Sequence, residues 1–233
     1  MPDWFDYLWY EATWYVSFVS FTLGNSLRTE GWQHIPKTGP VLVIANHQSF
    51  WDPLLIGVTS RRHFSFLARK TLFNNRGFAW VINRLNGIPI DQEGVGKEGI
   101  KAILKQLGEG RGVVVFPEGE RTGTGKILPL QPGIVLLIKR VHAPIVPIGI
   151  AGAFDAWPRT QALPHSSPLF LPPTKKTIAV SVGRPLDPKR YADMGREEIL
   201  KELFEELRKV EQRARALRRK SEWPIGNGVN EMD

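Results

Sequence analysis

A histidine and an aspartate, His47 and Asp52, stand five positions apart directly after the apolar run at residues 41–45. An imidazole titrates near neutral pH and can take a proton from a hydroxyl group. A carboxylate bonded to its other nitrogen fixes the tautomer and stabilises the imidazolium. A strand over 41–46 places His47 at its carboxyl end, where open α/β sheets build their sites, and Pro53 predicts a helix with Asp52 as its N-cap. The pair is therefore either a general base with its orienting acid, or an ordinary cap beside a loop histidine.

A second apolar run, at residues 112–116, breaks at Pro117 into a loop that contains a glycine and both signs of charge. The loop carries Glu118, Gly119 and Arg121. The run is typical of a buried strand, and the proline and glycine indicate that the strand ends in a turn.

With these two segments the chain resembles the glycerolipid acyltransferase family, whose best-known members are the lysophosphatidic acid acyltransferases. The first family pattern is Asn-His followed, after four intervening residues, by Asp, and it is met by Asn46, His47 and Asp52. The family loop Phe-Pro-Glu-Gly-x-Arg is met by residues 116–121, with Glu120 where a Ser or Thr is more usual.

Two further blocks extend the resemblance to roughly residues 36–185. The family block Gly-x-Ile/Phe-x-Ile-Asp-Arg corresponds to residues 87–92, where Asp91 is kept and Gln92 replaces the usual arginine. An apolar Val-Pro turn lies at residues 145–148. The replacement of this arginine by Gln92 does not affect His47 and Asp52. It affects the prediction of which acceptor the protein binds.

The resemblance implies transfer of a fatty acyl group from a coenzyme A or acyl carrier protein thioester to the hydroxyl of a lysophospholipid, with lysophosphatidate giving phosphatidate. His47 is then the general base and Asp52 orients it. The substrate-binding residues that it implies or that stand near its blocks are Asn46, Lys70, Asp91, Gln92, Glu118, Gly119 and Arg121. This route calls for no metal and no cofactor beyond the acyl donor.

Other patterns leave alternatives open. Ser49 next to His47 suits a lipid or thioester hydrolase that forms an acyl-serine, and another lipid acceptor is also compatible with Gln92. Residues 94–99 satisfy the dinucleotide-binding pattern Gly-x-Gly-x-x-Gly, and residues 123–126 resemble part of a phosphate-binding loop. A membrane-binding module without catalysis is a further alternative.

Composition narrows the chemistry. The chain of 233 residues has no cysteine, which excludes a thiol nucleophile and a disulfide framework, and its five histidines have no partner at i+4, so no metal site is predicted. The net charge of +8 favours anionic partners. No groove-reading motif accompanies that charge, so we expect membrane phospholipids and not nucleic acid as partners.

Aromatic residues crowd the N-terminal segment, as in helices at a membrane interface. The charge-free stretch 12–27 is shorter than the roughly 20 residues that cross a bilayer, and no basic signal-peptide start precedes it. We therefore expect residues 1–30 to be a helical segment lying in one leaflet, at the cytoplasmic face of the inner or cytoplasmic membrane, in preference to a true span or a helix packed on the protein's own core. The expected anchors are Trp4, Trp9, Trp14 and Phe18.

The remaining pattern predicts an α/β fold with a mainly parallel sheet flanked by helices, over residues 31–221. Strands are expected near 41–46, 64–68, 87–91, 112–116, 145–150 and 176–183, and helices near 53–60, 71–85, 97–108, 132–141 and 196–220. The proline-rich stretch 154–174 predicts a long irregular connection, and residues 222–233 a disordered tail.

Overall fold

The computed structural model describes residues 4–84, 86–90 and 96–220, and seven strands of this part form one sheet. Their spatial order is β1-β7-β6-β2-β5-β3-β4, and every neighbouring pair is parallel except β6 with β7. The strands are β1 (Arg28–Glu30), β2 (Val41–Ala45), β3 (Phe64–Arg69), β4 (Gly87–Ile90), β5 (Gly112–Val115), β6 (Ile145–Ala151) and β7 (Ala179–Val182).

Helices cover both faces of this sheet, so the predicted α/β class with a mainly parallel sheet is confirmed. The helices are α1 (Trp4–Asn25), α2 (Asp52–Ser60), α3 (Arg76–Arg84), α4 (Lys97–Gly108), α5 (Gly133–Ile138), α6 (Ala153–Ala156) and α7 (Arg196–Leu217). Short 3-10 helices lie at Trp32–His34, Lys70–Asn74 and Pro188–Tyr191. The single helix predicted over 71–85 is wrong, because Asn75 has an extended backbone and separates a 3-10 turn from α3.

The sheet is built outward from β2, which lies between β5 and β6 and is fully buried. Side chains alternate along a strand, so Leu42 and Ile44 enter the core under α4, α5 and α7, whereas Val43 enters the core under α1 and α2. A strand with both faces covered has no polar side, which explains the unbroken apolar run 41–45.

The reversal between β6 and β7 brings a long connection to one edge of the sheet. β7 runs antiparallel to β6, so the connection 152–178 starts and ends at the edge where β2, β5 and β6 have their carboxyl ends. β1 runs parallel to β7, and the end of α1 at Asn25 therefore reaches the same edge. β1 lies within the predicted segment 1–30 and belongs to the sheet.

Helix α1 packs on the body with one face and leaves the other exposed. Phe21 is buried, the indole N–H of Trp14 donates to the carbonyl of Val58 at 3.1 Å, and Trp9 makes an edge contact with Trp80 at 4.9 Å between ring centroids. The predicted anchors Trp9 and Trp14 therefore turn toward α2 and α3, and the side chain of Trp4 lies outside the described residues. The exposed large apolar side chains of α1 are Leu8, Tyr15, Val16, Phe18, Val19 and Leu23.

Of the predicted anchors whose side chains are described, Phe18 is the one that belongs to this exposed set. The outward face is mostly aliphatic because Trp9 and Trp14 have their contacts on the inward face. Trp14 donates its indole N–H to Val58 of α2, and the ring of Trp9 contacts Trp80 of α3. Within the described ranges, no helix combines the length and apolarity that a membrane span requires.

Helix α7 closes the opposite face, as its apolar stripe predicts. It crosses β6 at Gly149, where a Cβ atom would lie 2.2 Å from the backbone of Val210. Basic residues at and just after its C-terminal end form intramolecular hydrogen bonds. Arg213 forms two hydrogen bonds with Glu30, and Arg219 donates to the carbonyl of Leu169 at 2.6 Å. The predicted tail 222–233 lies outside the described residues.

Candidate active site

His47 and Asp52 form a hydrogen-bonded pair at the carboxyl end of β2. His47 Nδ1 lies 2.7 Å from Asp52 Oδ2, and the same oxygen accepts the backbone N–H groups of Gln48 at 2.5 Å and Ser49 at 2.7 Å. The Asp52 side chain is fully buried, whereas 19% of the His47 side chain is exposed. A carboxylate at Nδ1 fixes the proton on that nitrogen, so Nε2 is left with a lone pair that can accept a proton.

The prediction that Asp52 caps α2 is wrong in detail. The cap is Trp51, α2 begins at Asp52, and Pro53 occupies its first turn. The carboxylate bonds backward to amides of the loop that carries His47 and not forward to the helix. An N-cap signature in a sequence identifies the residue type, but it does not identify which orphan amides that residue binds.

Asn46 extends β2 through its side chain. Its amide nitrogen donates to the carbonyl of Ile150 at 3.0 Å, and its amide oxygen accepts the N–H of Ile150 at 2.8 Å. The side chain is buried, so both of its polar atoms face β6. Asn46 therefore fixes where the chain leaves the sheet just before His47.

Glu118 ties the two motif loops together. Its Oε1 accepts the backbone N–H of His47 at 2.7 Å, and its Oε2 accepts the backbone N–H of Leu128 at 2.6 Å. The carboxyl group is buried, and this desolvation raises its pKa to about 8, against the two backbone hydrogen bonds, which favour the charged form. Both oxygens are occupied by the protein, which assigns Glu118 to positioning His47.

The turn that follows Glu118 helps to hold His47 in place. Gly119 has a φ of 81°, a conformation that favours glycine, and its N–H donates to the carbonyl of Phe116 at 3.1 Å. The ring of Phe116 stacks on His47 with 4.0 Å between centroids. Thr122 donates its N–H to the carbonyl of His47 at 2.9 Å, so backbone and ring are both held.

Arg121 lies near Asp52 and has an unused donor. Its guanidinium lies 3.4 Å from the ring centroid of Phe50, and Nη1 is buried with no hydrogen-bond partner among the described residues. Burial lowers the pKa of Arg121, an effect that the nearby Asp52 carboxylate opposes. A buried N–H that no protein group satisfies is placed to receive an anionic oxygen.

A second arginine stands beside this group, which the sequence alone did not indicate. Arg159 pairs with Glu120 at 3.0 Å and donates to the backbone carbonyl of Arg121 at 3.3 Å. Glu120, which departs from the usual Ser or Thr of the family loop, is thus the residue that holds Arg159. The proline-rich stretch gave no signal for this contact, because it depends on the path of the long connection.

Ser49 does not face His47 as a nucleophile would. It is fully buried, and its hydroxyl donates to the carbonyl of Trp157 at 2.9 Å. The phosphate-binding-loop resemblance at 123–126 also lacks its structural context, because the next helix begins only at Gly133. The dinucleotide pattern 94–99 lies partly outside the described residues.

The other predicted substrate residues are less completely placed. Lys70 is exposed and begins the 3-10 helix after β3, at the same edge of the sheet as His47. Asp91 and Gln92 lie outside the described residues. Across the described ranges, no group of three or more His, Asp or Glu side chains is arranged to hold a metal ion.

An apolar cleft opens between α1, α2 and the sheet next to this site. The cleft is open to solvent: its cavity volume is about 40 Å³, within about 500 Å³ of space that includes the open mouth. Trp14 and Ser17 of α1, Leu54 and Val58 of α2, and Phe66 of β3 are among its lining residues. Pro53 and Leu54, which follow Asp52 in the chain, also line this cleft. No pattern in the sequence indicates this cleft, because its walls come from separate parts of the chain.

A sequence model of the acyltransferase family matches residues 26–151, a span that holds His47, Asp52 and the 116–121 loop. The chain belongs to this family. Among curated relatives of this acyltransferase-family chain, the 1-acyl-sn-glycerol-3-phosphate acyltransferase of Bacillus subtilis is 27% identical over 135 residues, covering 58% of this chain and 67% of that protein. The corresponding enzyme of Streptococcus pneumoniae is 31% identical over 113 residues, covering 48% and 41%.

The fold of this family member is shared with a solved relative. The crystal structure of the 1-acyl-sn-glycerophosphate (LPA) acyltransferase PlsC from Thermotoga maritima superposes with a TM-score of 0.73 at 24% sequence identity. The alignment covers 91% of this chain and 83% of that one. The match therefore includes the sheet and most of the helices around it.

Proposed function

We propose that this acyltransferase-family member transfers a fatty acyl group from a coenzyme A or acyl carrier protein thioester to the hydroxyl of lysophosphatidate, giving phosphatidate. The observation that carries the proposal is the His47–Asp52 pair at 2.7 Å, near which Nη1 of Arg121 is buried without a hydrogen-bond partner among the described residues. The names of the bacterial relatives support the choice of acceptor.

The reaction follows from the protonation states that the pair imposes. Nε2 of His47 takes the proton of the acceptor hydroxyl as that oxygen attacks the thioester carbonyl carbon, and Asp52 stabilises the imidazolium. The carbon–sulfur bond breaks, and the imidazolium returns its proton to the departing thiolate. The ester and the free thiol are then released, and His47 is neutral again. No step passes through a metal or a bound cofactor.

Substrate binding divides between one polar and one apolar region. Arg121, with Arg159 beside it, receives the phosphate of the acceptor, and the cleft between α1 and α2 receives the acyl chain. Asn46, Glu118 and Gly119 hold the loops in place. Lys70, Asp91 and Gln92 stay predicted substrate contacts.

The membrane supplies both the acceptor and a destination for the product. We propose that the exposed apolar face of α1 lies in the interfacial region of a bilayer, at its cytoplasmic face, so that the protein is monotopic or peripheral. Phospholipids are then its surroundings as well as its substrates.

An acceptor panel tests this proposal. Lysophosphatidate, glycerol 3-phosphate, lysophosphatidylcholine and a hydroxylated lipid without phosphate are compared with one acyl-coenzyme A, on the parent chain and on Arg121→Ala, Gln92→Arg and the control Arg111→Ala. Arg111 is an exposed arginine that precedes β5, at the opposite edge of the sheet. We expect lysophosphatidate to be the best acceptor and Arg121→Ala to raise its KM about tenfold or more, since a charge-assisted hydrogen bond contributes roughly 1.5–3 kcal/mol.

We expect Arg111→Ala to have no effect and Gln92→Arg to leave or improve the use of lysophosphatidate. A preference for the lipid without phosphate, unchanged in Arg121→Ala, would contradict the phosphate site and leave the catalytic pair untouched.

A further inference from the structure

The long connection between β6 and β7 carries an exposed apolar tip, Leu169-Phe170-Leu171. Phe170 is 74% exposed and Leu171 is 55% exposed, and Leu169 is also exposed. Three consecutive large apolar side chains in water are unfavourable for an isolated soluble loop, and such a patch marks a surface that another apolar phase covers.

The base of this loop is fixed by hydrogen bonds, so the exposure of the tip is built into the fold. Ser167 is buried, its N–H donates to the carbonyl of Gly24 at 2.7 Å, and its carbonyl accepts the hydroxyl of Ser26 at 2.9 Å. Leu169 donates its N–H to the carbonyl of Leu23 at 2.9 Å and receives Arg219 on its own carbonyl. The backbone is therefore held by the end of α1 and by Arg219, which follows α7, while the side chains of the tip are exposed to solvent.

The tip is continuous with the outward face of α1. Leu23, whose carbonyl anchors Leu169, is itself an exposed member of that face, and Val19 is exposed one turn earlier. Both elements lie at the edge of the sheet that carries His47, because β7 runs antiparallel to β6. The end of α1 and the tip are therefore neighbours, at the edge of the sheet where β2 ends before His47.

Basic groups border the same loop. A polar groove beside Pro173 is lined by Arg28, Arg218, Arg219 and Lys220. Arg28 and Lys220 are exposed, whereas Arg218 pairs with Asp155 and Arg219 donates to the carbonyl of Leu169. Lys175 follows the tip and is exposed. Cations placed around an apolar tip match the arrangement of a bilayer interface, where anionic headgroups surround the acyl region.

We propose that the tip Leu169–Leu171 is a second membrane-contact element, which enters the headgroup–acyl boundary of an anionic bilayer next to the end of α1. The two elements fix the orientation of the protein, so that the active-site edge faces the lipid that supplies the acceptor. This inference rests on the proposed membrane location of the protein, and it assigns the orienting role to a loop outside the N-terminal segment.

The absence of cysteine from the chain permits a direct test. An environment-sensitive fluorophore is attached to Phe170→Cys and, as a matched control, to Leu136→Cys. Leu136 is 50% exposed and lies on α5, which covers the opposite face of the sheet. With vesicles of equimolar phosphatidylglycerol and phosphatidylcholine, we expect the emission of the probe at position 170 to shift to the blue and to rise severalfold. The probe at position 136 should keep its emission in water.

A second pair of variants separates this inference from the proposed reaction. Replacing Phe170 and Leu171 together by serine should lower the vesicle partition coefficient by about tenfold or more, which corresponds to about 1.4 kcal/mol. The same variant should keep the parental rate with an acceptor that is monomeric in water. His47→Ala, in contrast, should lose the reaction and bind vesicles as the parent does.

Solvent-like emission from position 170 in vesicle-bound protein would overturn the proposal, as would parental vesicle binding by the double serine variant. A blue shift that depends on protein concentration without vesicles would also overturn it, because the tip would then be covered by a second copy of the chain.

Discussion

Removal of the proposed general base is the sharpest test of the reaction. General-base catalysis contributes roughly 10²- to 10⁴-fold, so we expect His47→Ala to lower kcat by that factor, which corresponds to about 3–5 kcal/mol of transition-state stabilisation. The acceptor KM should change little, because in the proposed reaction Arg121, and not His47, receives the phosphate. A loss of kcat with KM retained is the signature of a group that acts only in the transition state.

The structure indicates that His47→Ala stays folded. The imidazole is 19% exposed and stacks on Phe116, so its loss costs roughly 1–2 kcal/mol of burial, against a typical domain stability of about 5–15 kcal/mol. The Asp52 carboxylate keeps its hydrogen bonds from the amides of Gln48 and Ser49 and is not left as an unpaired buried charge. The expected defect is therefore chemical and local.

The assay follows the thiol released from the acyl donor with a thiol reagent, and the chain contributes no background because it has no cysteine. His142→Ala is the matched control, since His142 is exposed and precedes β6 at the opposite edge of the sheet. Added imidazole should partly restore His47→Ala by occupying the space between Phe116 and Asp52. A folded His47→Ala protein that retains the parental rate would refute the assignment of the base.

Two further predictions concern buried polar groups of the site. Ser49→Ala removes the hydrogen bond to Trp157, so we expect the free energy of unfolding to fall by roughly 1–3 kcal/mol. Turnover should drop less than about tenfold. Turnover as low as in His47→Ala, together with an acyl-enzyme detected by mass spectrometry in the parent, would instead support a hydrolase. Burial raises the pKa of Glu118 from 4.5 to about 8, so the folded state holds this proton more tightly than the unfolded state does. The stability that this proton provides is complete below the unfolded pKa and is lost as the pH rises toward 8, with a slope of up to about 1.4 kcal/mol per pH unit. Glu118→Gln should flatten this slope in denaturant titrations, and equal slopes in the two proteins would show that Glu118 is ionised throughout.

The features that could be predicted from the sequence are those that depend on residues close together in the chain. The run 41–45 is apolar on both faces and became the central strand, and the stripe of Ile199, Leu203 and Leu207 became the buried face of α7. The spacing of His47 and Asp52 predicted a contact across one short turn, and the structure has that contact. Each of these features depends on neighbouring residues or on one helical period.

The features that were missed depend on partners distant in the chain. Trp9 and Trp14 have the composition of interfacial anchors, and only the positions of α2 and α3 decide that they turn inward. β1 is three residues long and polar, and its pairing with β7 and the bonds from Arg213 to Glu30 leave no periodic signal. Glu118 is an acidic residue of the kind that binds substrates. Its carboxylate accepts the backbone N–H groups of His47 and Leu128, and the residues next to Glu118 in the sequence do not indicate these partners.

The place of β2 between β5 and β6 also determines when the site can exist during synthesis. Asn46 and Ile150, which close the site against β6, are 104 positions apart, and His47 and Glu118 are 71 apart. At about 5–20 residues per second, the ribosome takes roughly 5–20 s to supply the second partner after the first.

Until β5 has been made, β2 is the most apolar strand of the emerging chain and has neither of its neighbours. An unpaired apolar strand is a template for pairing with other chains, so this is the stage at which aggregation competes with folding. His47 is made early, and the site around it can form only after Ile150 has been made.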